Sequence, residues 1–367
     1  MFKLQKTSSK ARRGQLKLKH GIVETPIFMP VGTVGSVKSM TSADMHGMNT
    51  QILLGNTYHL FLRPGLEVIR AAGGLHNFMN WSKPILTDSG GFQIFSLGKL
   101  NKLTESGAHF QSHLDGTRFL LTPELAVEIQ ETLGADIHMV LDECTSYPVS
   151  YEVAKSSMER SLRWAKRCRE ARTNQDLCQF GIVQGSMFKD LRKQCIEGLV
   201  EIGFEGLAMG GLSVGESKVE MREMTEFCCE HLPQNSPRYL MGVGTPLDLI
   251  ESVALGVDMF DCVMPTRNAR NGTLFTSTGK INIKNAQYKL DQDPLDAACA
   301  CYTCTTFTRS YLRHLYACGE LTALRLLSLH NLTYYLTLMN EIRQSIENDT
   351  FDVLLRHHQN LWSTNPS

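Results

Sequence analysis

The chain has 367 residues, of which 42% are hydrophobic, and its 37 Lys and Arg residues balance its 37 Asp and Glu residues. This length suits one large barrel with an appendage, and the apolar content is enough for a sizeable core. The zero net charge excludes binding of nucleic acid through the field of the whole molecule, so such a partner would need local basic patches. No run of about 18 apolar residues is present, which predicts that the chain does not span a membrane.

The amino-terminal stretch MFKLQKTSSKARRG has no apolar core of the kind that a secretory signal needs. The first 23 residues hold Lys and Arg but no acid, as mitochondrial addresses do, yet residues 14–30 already predict folded strand. Eleven cysteines are too sparse for a disulfide scaffold. We therefore expect a cytoplasmic protein with reduced thiols.

Short apolar runs recur along the chain with amphipathic stretches, such as residues 151–172 and 189–202, between them. Each run is apolar on successive residues, which is typical of a parallel strand that is buried on both faces. Because there are eight runs, we predict a closed (β/α) eight-stranded barrel rather than an open sheet. The runs are 26–31, 51–56, 84–89, 137–143, 180–185, 206–211, 238–244 and 258–263.

Two of the connections are unusually long. Residues 90–136 contain the segments 109–114 and 117–121 around an Asp115-Gly116 turn, which predicts an inserted β-hairpin. Thr122 and Pro123 then predict a capped helix start, and Thr41 with Asp44 predicts a capping box at the first crossover helix. The second insertion, residues 264–330, follows the last strand and contains a cysteine cluster. We expect one catalytic barrel domain over residues 1–367, with residues 264–330 as a subdomain within it.

Polar residues or glycines stand at the ends of most predicted strands. The carboxyl ends of parallel barrel strands meet at one mouth, so these residues should lie together there. The ordinary alternative is that the acids cap the following helices, which would account for one or two of them. Three aspartates and a glutamine on one rim favour an active site. The residues are Asn56, Asp88, Ser89, Asp142, Gln184, Gly210, Gly211, Gly244 and, inside the last run, Asp261.

These residue types suit chemistry on a nucleoside. One carboxylate can attack an anomeric carbon while a second handles the proton, and a third can accept two N–H groups from a guanine-like edge. Gly210, Gly211 and Leu212 would let backbone groups approach a flat ligand. Phe92 could stack on a base, although a single Phe is more often part of a core.

Cys299, Cys301 and Cys304 form a CxCxxC run, which in a reduced protein predicts a zinc site. From spacing alone the fourth ligand can be His314, Cys318 or His330. Four protein ligands leave no open coordination position, so we predict a structural zinc ion.

Two stretches are basic and free of acids. Residues 3–19 hold seven Lys or Arg, and residues 262–290 hold Arg267, Arg270 and three lysines. On charge alone, each is more simply a solvated face than a nucleic-acid site.

Several motifs together resemble those of the bacterial tRNA-guanine transglycosylases. The resemblance extends from residue 11 to residue 340, and its longest motif is DMFDCVMPTRNARNG at 258–272. The other motifs are LTDSGGFQ (86–93), VLDECTSYP (140–148), FGIVQGS (180–186), GGLSVGE (210–216), YLMGVGTP (239–246) and CACYTC (299–304) with His330.

This resemblance implies exchange of the wobble guanine of U-G-U anticodon tRNAs for 7-aminomethyl-7-deazaguanine, on the way to queuosine. It implies that Asp261 is the nucleophile on the ribose, that Asp88 is the general acid/base and that His330 is the fourth zinc ligand. It also implies a homodimer, with Phe307, Tyr311 and His314 as interface candidates. Arg267 and Arg270 match contacts to the neighbouring uridines. The residues implied to bind the base are Asp142, Gln184, Gly211, Leu212, Phe92, Met241, Ser89 and Glu216.

The chain departs from the family pattern at a few positions. Phe92 stands where some relatives have Tyr, and Ser146 and Met209 replace commoner residues, which should alter packing only. Val214 replaces the smaller residue of eukaryotic relatives that admit queuine, which favours the smaller precursor base. Two other hypotheses are a non-catalytic tRNA-binding partner, disfavoured because both Asp88 and Asp261 are present, and a glycoside hydrolase, which has no use for CxCxxC.

Overall fold

The computed structural model describes residues 2–97 and 102–364. Within these residues the strands, in chain order, are β1 (Phe2–Ser8), β2 (Ala11–Leu18), β3 (Gly21–Thr25), β4 (Ile27–Gly32), β5 (Leu53–Gly55), β6 (Ile85–Thr87), β7 (Lys102–Thr104), β8 (Gly107–Gln111), β9 (Arg118–Leu121), β10 (Ile137–Met139), β11 (Cys178–Val183), β12 (Gly206–Met209), β13 (Arg238–Leu240), β14 (Met259–Cys262), β15 (Thr273–Thr276) and β16 (Gly279–Asn282).

The helices in the same ranges are α1 (Ser42–Gly47), α2 (Thr57–Leu62), α3 (Leu66–Ala71), α4 (Leu75–Met79), α5 (Gly91–Leu97), α6 (Pro123–Leu133), α7 (Tyr151–Ala171), α8 (Lys189–Ile202), α9 (Lys218–His231), α10 (Pro246–Ala254), α11 (Met264–Arg270), α12 (Tyr302–Thr306), α13 (Arg309–Ala317), α14 (Leu321–Glu347) and α15 (Phe351–Thr364). A 3₁₀ turn spans Ala286–Lys289.

Eight parallel strands close into a barrel in the order β4, β5, β6, β10, β11, β12, β13 and β14, with β14 pairing back onto β4. Each strand falls within or overlaps one of the eight predicted apolar runs, so the predicted barrel is confirmed. Most strands are shorter than their runs because the polar last residues of each run leave the ladder at the mouth. Apart from the half-buried Cys178 and Asp261, the residues of these strands are buried between the barrel interior and the surrounding helices, which is why the strands do not alternate in polarity.

A three-stranded antiparallel sheet, β1–β3, covers the amino-terminal end of the barrel. Arg12 lies there as a buried ion pair with Asp258, its Nε 3.3 Å from the Asp258 Oδ1, just before β14. Elsewhere in the basic stretch 3–19, Lys6 pairs with Asp349 at 2.6 Å and Lys10 with Glu226 at 2.9 Å. These residues therefore hold the sheet to the barrel and its outer helices, at the end opposite the mouth.

The long connection after β6 contains the predicted hairpin, β8 and β9, and also a third strand, β7, that the pattern did not predict. Thr122 caps α6 by accepting a hydrogen bond from the backbone N–H of Leu125, and Pro123 is its first residue, as predicted. The capping box of Thr41 and Asp44 is also present.

After β14 the chain forms α11, the hairpin of β15 and β16, and two short helices. The long helix α14 follows and packs against β4 of the barrel. α14 runs without a break from Leu321 to Glu347, so residue 330 lies inside it. The hydroxyl of Tyr335, on α14, donates to the Gly244 carbonyl at 2.6 Å, which anchors this helix to the loop after β13. Among the described residues, no helix has the length and apolar character needed to cross a membrane.

Candidate active site and metal centre

The predicted polar side chains meet at the carboxyl ends of the barrel strands. Asp88 follows β6, Gln184 follows β11, and Asp261 lies within β14. Asp142 stands three residues after β10, where the chain has left the ladder. The arrangement is a consequence of parallel topology, since each strand delivers its last residues to the same rim.

Asp261 is held by one of its two carboxylate oxygens. Oδ1 accepts a hydrogen bond from the Tyr239 hydroxyl at 2.5 Å and another from the Gly242 backbone N–H at 2.9 Å. In the part of the chain that the structure describes, Oδ2 has no hydrogen-bond donor. Burial raises the pKa of Asp261 above its ordinary value, although both bonds oppose the shift. One oxygen is thus fixed while the other is open to the mouth.

Asp88 accepts three hydrogen bonds. Its Oδ2 accepts from Asn56 Nδ2 at 2.5 Å and Gln93 Nε2 at 2.8 Å, and its Oδ1 accepts from the Thr57 backbone N–H at 2.8 Å. Burial nevertheless raises the pKa of Asp88 to about 6, and the charge of Asp261 adds to the rise. A carboxyl group with this pKa can both give and take a proton near neutral pH.

Asp142 forms a second cluster on the same rim. Its Oδ2 accepts from Gln184 Nε2 at 2.7 Å, and the Ser89 hydroxyl lies 3.5 Å from its Oδ1. Burial raises the pKa of Asp142 to about 6. The Asp142 carboxylate and the Gln184 amide therefore face one another across neighbouring strands, where both could turn to a planar ligand with paired donors and acceptors.

The turn after β12 needs glycine at residue 211. Gly211 has φ +62°, and a Cβ there would stand 2.6 Å from Gln184 Oε1. Arg192, wholly buried on α8, donates from Nη2 to the Gly210 carbonyl at 3.1 Å and from Nε to the Ser186 carbonyl at 2.7 Å. One guanidinium thus joins the loops after β11 and β12. Leu212 follows directly and is buried.

The next segment of this loop is held by Glu216. Its carboxylate accepts hydrogen bonds from the backbone N–H groups of Ser213 and Val214, the latter at 3.0 Å. Both oxygens of Glu216 are therefore engaged with the backbone, so that this residue shapes the loop around Val214.

Two predicted stacking residues lie at the mouth at different depths. Phe92, at the start of α5, is 50% exposed, while Met241, just after β13, is half-buried against the core. An exposed Phe is not the core residue that the ordinary interpretation expected. Its ring is available to a ligand.

Arg267 and Arg270 lie on α11, which begins two residues after β14. Arg267 is exposed, and the buried Nη1 of Arg270 has no hydrogen-bond partner among the described residues. Burial and the charge of Arg267 lower the pKa of Arg270. This pair of cations, on the helix that directly follows the strand of Asp261, suits a phosphate-rich partner at the mouth.

The cysteine cluster comes together in the segment that follows β14. The ligand atoms of Cys299, Cys301, Cys304 and His330 all lie within 4.8 Å of one another, with Cys304 Sγ 3.3 Å from His330 Nδ1. His330 Nε2 contacts the Phe275 carbonyl at 2.9 Å, which assigns the proton to Nε2 and leaves Nδ1 for a metal ion. These four donors fit a zinc ion. Cys318, an alternative from spacing, is exposed and lies beside His314 instead.

Several residues that support the site were not predicted. Gln93, Thr57 and Tyr239 bind the two aspartates, and Arg192 joins two loops. Arg192 lies in a segment that looks like an ordinary amphipathic helix, so only its partners reveal it. Tyr239 begins the motif 239–246, but the motif alone did not indicate its contact with Asp261. Gln93 could have been noticed, because it is the last residue of the motif 86–93 that contains Asp88 and Phe92.

Comparison with known proteins gives one consistent result. A sequence profile described as queuine tRNA-ribosyltransferase matches residues 7–364. A protein of that name from Dechloromonas aromatica is 56% identical over 352 residues, which are 95% of this chain and 95% of the relative. Proteins of the same name are 55% identical in Acinetobacter baylyi, covering 94% of this chain and 90% of the relative, and 56% identical in Haemophilus influenzae, covering 96% and 94%.

Proposed function

The chain belongs to the queuine tRNA-ribosyltransferase family, and on that premise we propose that it exchanges the wobble guanine of U-G-U anticodon tRNAs for 7-aminomethyl-7-deazaguanine. As a family member it is a tRNA-guanine transglycosylase, a pentosyltransferase of queuosine synthesis. The observation that carries the finer proposal is the pair of aspartates at the mouth, one with a free oxygen and one with a pKa of about 6. We place this reaction in the cytoplasm, where tRNA is found.

The proposed reaction is a double displacement at the ribose. Asp261 Oδ2 attacks C1′ of the target nucleotide, the bond from C1′ to guanine breaks, and Asp88 gives its proton to the departing base. The incoming base then attacks C1′ from the side that guanine left, its proton passes to Asp88, and the ester to Asp261 breaks. Two inversions at C1′ leave the configuration of the ribose unchanged. No external energy source is needed, because one glycosidic bond replaces another.

We propose that the base is bound by Asp142, Gln184 and the backbone around Gly211 and Leu212. Phe92 and Met241 would cover the two faces of the base, with Ser89 beside Asp142 and Glu216 holding the loop. The target base has to leave its stack to be reached, and the single-stranded anticodon loop makes this inexpensive. Arg267 and Arg270 would contact the flanking uridines and their phosphates.

We further propose that one structural zinc ion is held by Cys299, Cys301, Cys304 and His330. These residues would lie in a subdomain, residues 264–330, within a single barrel domain over residues 1–367. The fit of the four donors supports this assignment. When bound, zinc would join α12 to α14 by bonds to thiolate and imidazole. The ion takes no part in the reaction, because all four positions are filled by the protein.

An exchange assay tests the reaction. We expect labelled guanine to enter an anticodon stem-loop with U-G-U, with no release of free sugar. A matched stem-loop in which both uridines are cytidines should incorporate far less. A glycoside hydrolase would release sugar, and a non-catalytic binding partner would bind the stem-loop without any incorporation. Failure to exchange guanine would contradict the proposed activity.

The covalent step has its own test. Wild-type protein and tRNA should form a complex that survives denaturant, and Asp261→Asn should abolish it because an amide cannot form the ester. The control is Asp176→Asn, which changes an exposed aspartate and should leave the complex intact. Asp258→Asn is less suitable as a control, because it would disturb the buried ion pair with Arg12. A complex that persists in Asp261→Asn would move the nucleophile elsewhere.

We also propose a homodimer through the surface near the zinc site. Tyr311 is 43% exposed and its ring stacks on that of Phe307 at 5.3 Å, with exposed His314 on the same helix, α13. Exposed aromatic clusters of this kind are typical of interfaces. Light scattering at micromolar concentration should give twice the chain mass, and Tyr311→Asp should shift it towards the monomer. A monomeric wild-type mass would refute the dimer.

A further inference from the structure

A second group of metal-ligating side chains lies at the amino-terminal end of the barrel, opposite the mouth. It consists of His20 in the turn between β2 and β3, His76 in α4, and Asp136 immediately before β10. Their ligand atoms all lie within 4.8 Å of one another. The group shares no residue with the cysteine cluster and contributes nothing to the proposed transfer reaction.

The distances within this group match those of ligands around one ion. His20 Nδ1 lies 3.0 Å from Asp136 Oδ1, and His76 Nε2 lies 3.2 Å from Asp136 Oδ2. Two nitrogen or oxygen ligands, each about 2.1 Å from a tetrahedral ion, stand roughly 3.4 Å apart. The two imidazole rings are stacked with their centroids 3.7 Å apart and their planes at 22°, so both rings present edges to the same carboxylate.

The contact of His76 with the carboxylate is short but poorly directed. His76 Nε2 is buried and makes no well-aligned hydrogen bond within the described residues. A buried nitrogen without a well-aligned hydrogen bond lowers the stability of the folded state, so its presence needs an explanation. A lone pair directed towards a shared ion, rather than towards an oxygen, explains both the short distance and the poor alignment.

Asp136 is built into the fold as a fixed anion. It is completely buried, and it accepts the backbone N–H of His20 at 2.9 Å and that of Ile85 at 3.0 Å. His20, in contrast, has 28% of its side chain exposed, so solvent reaches the group from one side. The arrangement therefore combines a preformed carboxylate with an entry path.

We propose that His20, His76 and Asp136 bind one divalent transition-metal ion, with water completing its coordination. Imidazole and carboxylate ligands together suit zinc, cobalt and nickel rather than magnesium or calcium. The ion would cross-link three segments that are far apart in the chain, where the β1–β3 sheet meets the barrel. Its role is to stabilise that end of the molecule.

Co²⁺ is the probe, because its absorption spectrum distinguishes the two sites. Co²⁺ with nitrogen and oxygen ligands shows only d–d bands in the visible range, whereas Co²⁺ in the cysteine cluster would also show charge-transfer bands from sulfur. Untagged, zinc-loaded protein is titrated with Co²⁺ by absorption and calorimetry. We expect one equivalent per chain beyond the zinc already bound, with d–d bands only and a raised melting temperature. Loss of one ligand in His76→Gln or His20→Gln should weaken binding at least about tenfold.

His46→Gln is the matched control, since His46 is a partly buried histidine nearby whose ring stacks on Trp81. It should bind Co²⁺ as the wild type does, and circular dichroism should show that all three variants are folded. Absence of the additional equivalent would overturn the proposal, as would equal affinity in wild type and both ligand variants. In either case the group would be a hydrogen-bonded brace without an ion. The readout does not depend on enzymatic activity and so stands apart from the proposed function.

Discussion

Asp88 is buried and Asp142 is half-buried at the barrel mouth, and desolvation of the carboxyl group raises the pKa of each to about 6. In an unfolded chain the ordinary value of 3.8 applies. The folded state therefore binds these protons more tightly. The resulting stabilisation is complete below the unfolded value and is lost as the pH rises through the folded one. At neutral pH, the functional carboxylates work against folding.

Asp88→Asn should therefore raise stability while it abolishes exchange. The side chain keeps its size, and the amides of Asn56 and Gln93 can turn to present oxygens. We expect a gain of up to about 3 kcal/mol at pH 8, falling below about 1 kcal/mol at pH 4. Urea unfolding at both pH values measures this, with the exposed Asp176→Asn as a control that should change nothing. A gain that does not depend on pH would contradict the assignment.

At the scale of elements, the loops after β11 and β12 act as one unit because Arg192 on α8 bonds to carbonyls in both. Its guanidinium is wholly buried, and within the described residues it forms no ion pair with a carboxylate. Its hydrogen bonds to the Ser186 and Gly210 carbonyls are therefore the main interactions that offset the loss of hydration of this buried charge. Arg192 is a positioning residue, since it acts through Gln184 and Gly211 rather than on a substrate.

Arg192→Met should impair recognition of the base more than recognition of tRNA. Removing the donors leaves buried carbonyls unsatisfied, at a cost of about 1–3 kcal/mol, and loosens both of the loops that are proposed to bind the base. We expect KM for the free base to rise roughly tenfold or more, with KM for tRNA changed much less. Arg222→Met, which removes an exposed arginine paired with Glu251, is the matched control. Equal changes in both KM values would show a general loss of folding instead.

At the scale of the whole molecule, the cysteine cluster connects the segment after β14 to the helix that closes the barrel. His330 belongs to α14, and α11, which carries Arg267 and Arg270, packs against the same helix. The Asn331 side chain donates to the carbonyls of Pro265 and Thr273 at 3.0 and 3.1 Å. Disorder at the proposed zinc site should therefore spread to the proposed tRNA contacts.

Cys304→Ser, or removal of zinc by a chelator, should lower the melting temperature and raise KM for tRNA. Hydrogen exchange should show faster opening in residues 264–330, while the barrel strands keep their protection. Cys318→Ser changes an exposed thiol outside the cluster and should retain zinc and stability. Full zinc content in Cys304→Ser would remove that residue from the ligand set.

The amino-acid sequence by itself determined the eight barrel strands, the inserted hairpin, the three cysteines of the candidate metal site and the set of polar residues at the mouth. These features are local, because each depends on apolar runs, turn residues or short spacings that neighbouring residues complete. Resemblance to a family, which is also a property of the sequence, added His330 and the proposed division of roles among Asp88, Asp142 and Asp261.

Only the tertiary structure decided which partners those residues have. It showed the free oxygen of Asp261, the three donors to Asp88, the bonds of Arg192 and the group of His20, His76 and Asp136. Each of these depends on side chains brought together from distant segments, and on burial that sets their pKa values or leaves a nitrogen poorly aligned with its nearest acceptor. A strand-end carboxylate can be recognised in one dimension, but its pKa and its open oxygen depend on what three-dimensional packing places around it.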